Sequence, residues 1–218
     1  MKTAPTAPTR VVAFVDGFNL YHAICDTRVN HLKWLDLWRL IARFARPPQA
    51  VLREVRYFSA YATWLPASHK RHREYVKALV ASGVTPVLGN FKNKTHHCKL
   101  CRRPYLGHEE KETDVNIALH LFRSAVRDEY DTALVVSGDS DLAPAIRAVK
   151  ADFPAKRILV LSPPGRQPSY DLLHAAGGQH NGRIIKRGHL EAALLPREVR
   201  HNPSGAIAAV RPAGYDPP

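Results

Sequence analysis

Two apolar runs in this chain stop abruptly at acid. Ala133, Leu134, Val135 and Val136 suit a buried parallel strand, and they lead through Ser137 and Gly138 into Asp139 and Asp141. Val11, Val12, Ala13, Phe14 and Val15 have the same grammar and end at Asp16-Gly17-Phe18-Asn19. In open α/β sheets ligands bind beyond the carboxyl ends of the strands, so acids at two such ends converge on one crevice. Carboxylates brought together repel each other, and a hard divalent cation is the usual remedy. A further candidate, Asp114, stands in the first turn of a helix predicted over residues 113–127. Ile117 and Ala118, three and four positions on, are apolar, so Asp114 projects from the inward face. Simpler roles compete with this chemistry. Asp16 and Asn19 suit helix capping, and Asp114 suits the helix dipole, although Glu109, Glu110 and Glu112 would serve the dipole as well.

The elements that must position these acids alternate. Strands are predicted at about 10–15, 51–60, 84–91, 133–136, 157–161 and 183–186. Helices are predicted after Asn19 and over 35–44, 68–81, 113–127, 141–150, 169–176 and 189–195. Pro47-Pro48 is expected to end the second of these helices, Ser68 to cap the third, and Pro144 is tolerated in a first turn. Strand and helix in alternation imply a mostly parallel sheet covered by helices, with Asp16, Asp139 and Asp141 along one edge. The loop from Ser162 to Pro168 is expected at that same edge. The helix over 68–81 carries His69, Lys70, Arg71, His72 and Arg73 on its expected outer face, a run suited to solvent or to a phosphate backbone.

Between residues 90 and 112 the apolar signal stops, and a basic Cys/His insertion loop is expected. His96, His97, Cys98 and Cys101 there, with His108 beyond, have the spacing of half a zinc site. His96 or His97 together with His108, or a second chain, would complete the tetrahedron; two reduced thiols in a basic loop is the alternative.

Composition bounds the rest. The 218 residues, 45% hydrophobic, suit one domain over residues 10–195, with a flexible arm at 1–9 and a disordered Pro-rich tail at 196–218. No run of 18 apolar residues and no secretory leader is present, and three cysteines do not make a disulfide framework, so a cytoplasmic protein without a membrane partner is expected. Lys and Arg number 32 against 19 Asp and Glu, a net charge of +13 that favours a polyanionic partner.

Val15-Asp16-Gly17-Phe18-Asn19-Leu20, Lys111-Glu112-Thr113-Asp114-Val115 and Ser137-Gly138-Asp139-Ser140-Asp141 resemble, in that order, the motifs of the NYN domain family, the LabA-like branch of the PIN-like nucleases. The resemblance implies a PIN-like three-layer α/β fold, acids that bind Mg²⁺ or Mn²⁺, and RNA as the substrate of a metal-dependent ribonuclease. On that reading Asp16, Asp114 and Asp139 are metal ligands and Asp141 completes the set or orients water. Asn19 and Ser137 hydrogen-bond the ligands or the scissile phosphate. A metal so held acidifies a bound water for attack on phosphorus, and a pair of ions about 3.5–4 Å apart would stabilise both attacking and leaving oxygens. An RNA-binding or regulatory module with the same fold and little catalysis is the alternative. An aspartyl phosphatase is disfavoured because no second Asp follows Asp16 by two residues, and a nucleotide-binding protein because no Gly-x-x-x-x-Gly-Lys loop is present. A monomer or a homodimer is expected.

Overall fold

The computed structural model describes residues 7–45 and 49–217. Most of the expected N-terminal arm and Pro47-Pro48 lie outside them, and Thr9 already belongs to the first strand. The order is β1 (Thr9–Asp16), α1 (Gly17–Asp26), α2 (Leu37–Ala45), β2 (Ala50–Ala60), α3 (Pro66–Ala81), β3 (Thr85–His97), β4 (Pro104–Lys111), α4 (Thr113–Val126) and β5 (Thr132–Val136). It continues with α5 (Ala143–Asp152), β6 (Arg157–Ser162), α6 (Tyr170–Ala175), β7 (Gly182–Ile184), α7 (Arg187–Glu191), β8 (Glu198–Arg200) and β9 (Ile207–Val210).

Seven strands form one sheet in the order β4-β3-β2-β1-β5-β6-β7, parallel except for β4. From β1 the chain winds outward through β2 and β3, then returns to β5 on the other side of β1 and winds the opposite way. The junction of β1 and β5 is therefore the topological switch point, the place where loops leaving in opposite directions open a crevice in sheets of this kind.

Strand periodicity sorts the core into two layers. Val11, Ala13, Val15, Val55, Tyr57, Leu134, Val136, Leu159 and Leu161 pack with α1, α2, α3 and α7. Val12, Phe14, Phe58, Ala133, Val135, Ile158 and Val160 pack with α4, α5 and α6. Continuing the alternation past each strand's last apolar residue puts Asp16 and Ser137 on the α4/α5 face and Ser59 on the α1/α3 face.

Two expectations fail here. The supposed loop over 90–112 is an antiparallel hairpin, with Asn90 paired to Lys111 and His97 to Pro104 around a turn at Cys98–Arg103. Both of its faces are largely polar, so no apolar period marks it. Backbone pairing, ion pairs of Glu109 with Lys94 and Lys111 at 2.7 and 2.9 Å, and a stacked His96–Tyr105 pair hold it instead.

The C-terminal segment is likewise ordered. β8 and β9 form a hairpin whose Val199, Ala209 and Tyr215 bury against Trp34 and Ala78, while Trp34 Nε1 donates to the carbonyl of Pro196 at 2.8 Å. The Pro, Gly and Ala bias of this stretch masks three anchors that the body of the fold selects. Deleting residues 197–218 is expected to lower the melting temperature by about 5–10 °C, since it uncovers Trp34 and removes two large buried side chains. An unchanged melting curve would show that the hairpin packs without contributing stability.

Candidate functional site

Asp16 is the last residue of β1 and is 5% exposed. Its Oδ1 accepts from the Asn19 amide at 2.9 Å, which caps α1, and its Oδ2 accepts from Ser137 Oγ at 2.9 Å. Asn19 does not cap; its Oδ1 accepts from the Gly138 amide at 2.9 Å. Ser137 Oγ in turn accepts from the Asp139 amide at 3.0 Å, and Asp139 Oδ1 accepts from the Asp141 amide at 3.0 Å. The two strand ends are thus tied across the switch point by hydrogen bonds between residues 121 and 119 positions apart. Ser137 is fully buried with its only proton spent on Asp16, so it orients a carboxylate and does not reach substrate.

Burial pushes the Asp16 carboxyl up to about 6 against the pull of its two hydrogen bonds, and Asp114 and Asp139 push it further the same way. Asp114 is raised too, first by burial and then by Asp139, Glu110 and Asp141. Among the described residues none of these five acids makes an ion pair. The contrast with acids elsewhere is plain: Asp128 and Asp131 pair with Arg10, Asp128 also with Lys156, and Glu54 and Glu129 with Arg56. In a chain of net charge +13, unbalanced negative charge accumulates at this one edge.

Glu110 is the member of the group that sequence reasoning missed. It sits in β4, and its Oε1 accepts from the Thr113 amide at 3.1 Å and from the Thr113 hydroxyl, which holds it at the start of α4 beside Asp114. No periodic signal in the sequence marks it, because β4 is largely polar on both faces. Between Glu110 and Thr113, Glu112 adopts a left-handed backbone, φ 81°, unusual for a residue with a side chain. That bend turns the polar ribbon into α4 and brings β4 and Asp114 to the same edge. Asp141, in a short 3₁₀ turn at Ser140–Leu142 ahead of α5, is exposed.

Among the described residues no three His, Cys, Asp or Glu side chains stand close enough together to chelate a metal ion unaided. The acids sense one another electrostatically without touching. The zinc set expected from Cys98, Cys101, His97 and His108 is not assembled. His97 pairs with Pro104 and His108 with Asn93, a separation of four positions along the ribbon, or about 13 Å, against zinc–ligand distances of about 2.0–2.3 Å. His108 instead stacks on Trp64, with ring centroids 3.8 Å apart and planes at 9°. Cys98 and Cys101 do face each other in the turn, where the amides of Cys101 and Leu100 hold the Cys98 thiol below its ordinary value.

A mostly parallel sheet wound both ways about a switch point that bears acids is the architecture of a PIN-like α/β domain. Within that class the chain belongs to the NYN domain family, whose sequence model matches residues 10–180. It is similar to a 6-hydroxy-3-succinoylpyridine 3-monooxygenase from Pseudomonas putida, 25% identical over 88% of this chain and 72% of that protein. A crystal structure of a protein of unknown function from Vibrio parahaemolyticus has the same fold, with a TM-score of 0.57 and 18% identity over 88% of this chain and all of the other. No helix among the described residues is long and apolar enough to cross a membrane.

Proposed function

We propose that the protein is a divalent-metal-dependent ribonuclease whose working carboxylates are Asp16, Asp114, Asp139 and Asp141, with Glu110 beside them. The observation that carries the reading is the convergence of these acids, without a cationic partner among the described residues, at the switch point of a strongly basic chain. The donors are all oxygen and all anionic, which suits Mg²⁺ or Mn²⁺; ions of this kind keep several waters and use few direct protein ligands, so acids standing apart are compatible with them. When bound, such a cation supplies Lewis-acid polarisation of a phosphate oxygen and a water acidified for attack. The chain's own residues prepare the place. Ser137 and the Asn19 amide fix both oxygens of Asp16, and Asn19 Oδ1 pins the Gly138 turn, so that Asp139 is presented from a rigid loop. Asp114, half-buried on the first turn of α4, closes the crevice from the α4/α5 face.

The hairpin tip is the main candidate for tracking RNA, because Lys99, Arg102 and Arg103 are exposed there. The basic run on α3 contributes less than expected: Lys70 and Arg73 are exposed, but Arg71 and His72 turn inward to a cavity. Reversing the charge of Lys99, Arg102 and Arg103 is expected to weaken single-stranded RNA binding and to flatten its salt dependence, by about 0.7 log units per log unit of salt for each phosphate left without its cation. A slope unmoved by the triple change would mean the tip is solvated surface.

The deciding experiment is Mn²⁺- or Mg²⁺-dependent cleavage of a mixed set of labelled RNAs and DNAs, with Asp139→Asn as control. RNA bound without cleavage, equally by both proteins, would favour the binding-module reading. A second reading, oxygenation of a heteroaromatic ring, is favoured by the similarity to the Pseudomonas putida monooxygenase. It is checked in the same preparation by following dioxygen consumption with 6-hydroxy-3-succinoylpyridine and a two-electron reductant.

A further inference from the structure

On the other face of the sheet from the acids, between α1 and α3, lies a cavity of about 260 Å³ that the cleavage reading leaves unused. Its walls are Phe18, Tyr21, Tyr57 and Tyr215, and Tyr215 comes from the C-terminal segment. Two cations border it. Lys33 Nζ stands 5.6 Å from the ring centre of Tyr21 and 5.8 Å from that of Tyr215, and Arg71 reaches Ser68 Oγ at 3.1 Å. Neither makes an ion pair among the described residues; their hydrogen-bond partners there, Asn30 for Lys33 and Ser68 and Tyr215 for Arg71, are neutral. Polar groups line the inner end: buried Ser59, and the Tyr57 hydroxyl 3.2 Å from His72 Nε2. Burial, then the neighbouring His69, lowers His72 to about 4, so at neutral pH the imidazole is an uncharged hydrogen-bonding group.

Aromatic walls favour a flat ring, neutral polar groups at the inner end suit ring nitrogens and oxygens, and two unbalanced cations call for an anion. The volume lies below the roughly 300–1,000 Å³ of sites for drug-sized ligands, which limits the occupant to one or two rings. We propose that this cavity binds a planar heteroaromatic ring carrying an anionic group. Two sources have that chemistry: a nucleotide of an RNA strand, or a free heteroaromatic acid. The first rests on the nuclease reading and has a geometric basis, because the cavity wall begins at Gly17, one residue and about 3.8 Å of backbone beyond Asp16. A strand with its phosphate at the acids would pass the neighbouring nucleotide over the sheet edge into the cavity.

Calorimetric titration in EDTA keeps this test apart from metal-dependent cleavage. The probes are 5′-UMP, 5′-AMP, adenosine and nicotinate, against wild type, Lys33→Met, Arg71→Met, the cavity-filling Ala62→Phe, and Gly188→Ala in α7, outside the cavity. A nucleotide is expected to bind, adenosine to bind at least about tenfold more weakly, and each cavity variant to weaken the nucleotide by about tenfold or more, with Gly188→Ala unchanged. Nicotinate binding with the same variant pattern, and no nucleotide binding, would assign the cavity to a free acid. Lys33 is only partly buried, so its variant reports even where another fails to fold, as melting curves will show. The proposal is overturned by the absence of saturable binding of every anionic probe into the millimolar range, or by binding indifferent to Lys33→Met and to every other cavity variant that folds. Loss of RNA cleavage with cavity binding intact would sink only the nuclease reading.

Discussion

Asp16→Asn is expected to lose phosphodiester cleavage by about a thousandfold or more while melting at a higher temperature than wild type at pH 7 without added metal. The first effect follows if the carboxylate helps hold a cation worth several kcal/mol to the transition state. The second follows from the raised carboxyl. Between its ordinary 3.8 and its folded value of about 6 the native state binds a proton that the unfolded chain has released. Its contribution is therefore full below 3.8 and is lost as pH rises through 6; at pH 7 the ionised group costs the fold about 3 kcal/mol. Asparagine removes the charge and keeps one acceptor for the Asn19 amide, but it sacrifices a hydrogen bond worth about 1 kcal/mol. The net gain is about 1–2 kcal/mol, or about 2–6 °C, and it should vanish near pH 4. Mn²⁺ should raise the melting temperature of wild type and not that of the variant. A variant that melts lower than wild type at every pH, and whose cleavage is unchanged, would reduce Asp16 to a helix cap.

Gly17→Ala is expected to cost about 3 kcal/mol or more, enough to lower the melting temperature by about 6 °C or to leave the protein insoluble. A Cβ built at Gly17 would lie 2.5 Å from Tyr57 Cε2 and 2.6 Å from the carbonyl oxygen of Phe58. Neither neighbour can yield: one is backbone in β2, and the other is a buried ring set edge-on between His72 and Tyr75. Relief would require moving the turn that presents Asp16, so any soluble variant should also cleave poorly. Gly188→Ala is the control, because nothing lies within 4 Å of its Cβ position and it sits inside α7. A Gly17→Ala melting curve within a degree of wild type would show that the close approach is not obligatory.

The reach of the sequence is clearest at the motifs. The apolar runs ending at Asp16 and at Asp139 are legible because a buried parallel strand has to be continuously apolar, and the residue after it must lie at the carboxyl edge. Glu110 is not legible in this way. In the sequence it resembles any surface acid, because its strand is polar on both sides, and only pairing with β3 and the left-handed turn at Glu112 place it beside Asp114. The inward turn of Arg71 and His72 is hidden for a related reason: a cavity with polar groups in its lining breaks the apolar stripe by which a buried helix face is recognised.

The order of residues is enough to say which segments are core strands, where four carboxylates follow them or begin a helix, and to which family the three motifs point. Those are local properties, written in periodicity and in neighbouring residues. The adjacency of β1 and β5, and their winding apart, come from tertiary packing alone. The same packing joins Ser137 to Asp16 and Asn19 to Gly138, withholds His108 from the two cysteines, and folds the last twenty or so residues over Trp34. Each of these depends on pairs of residues far apart in the chain or on backbone pairing indifferent to side-chain polarity, and neither leaves a periodic trace in the order of the residues.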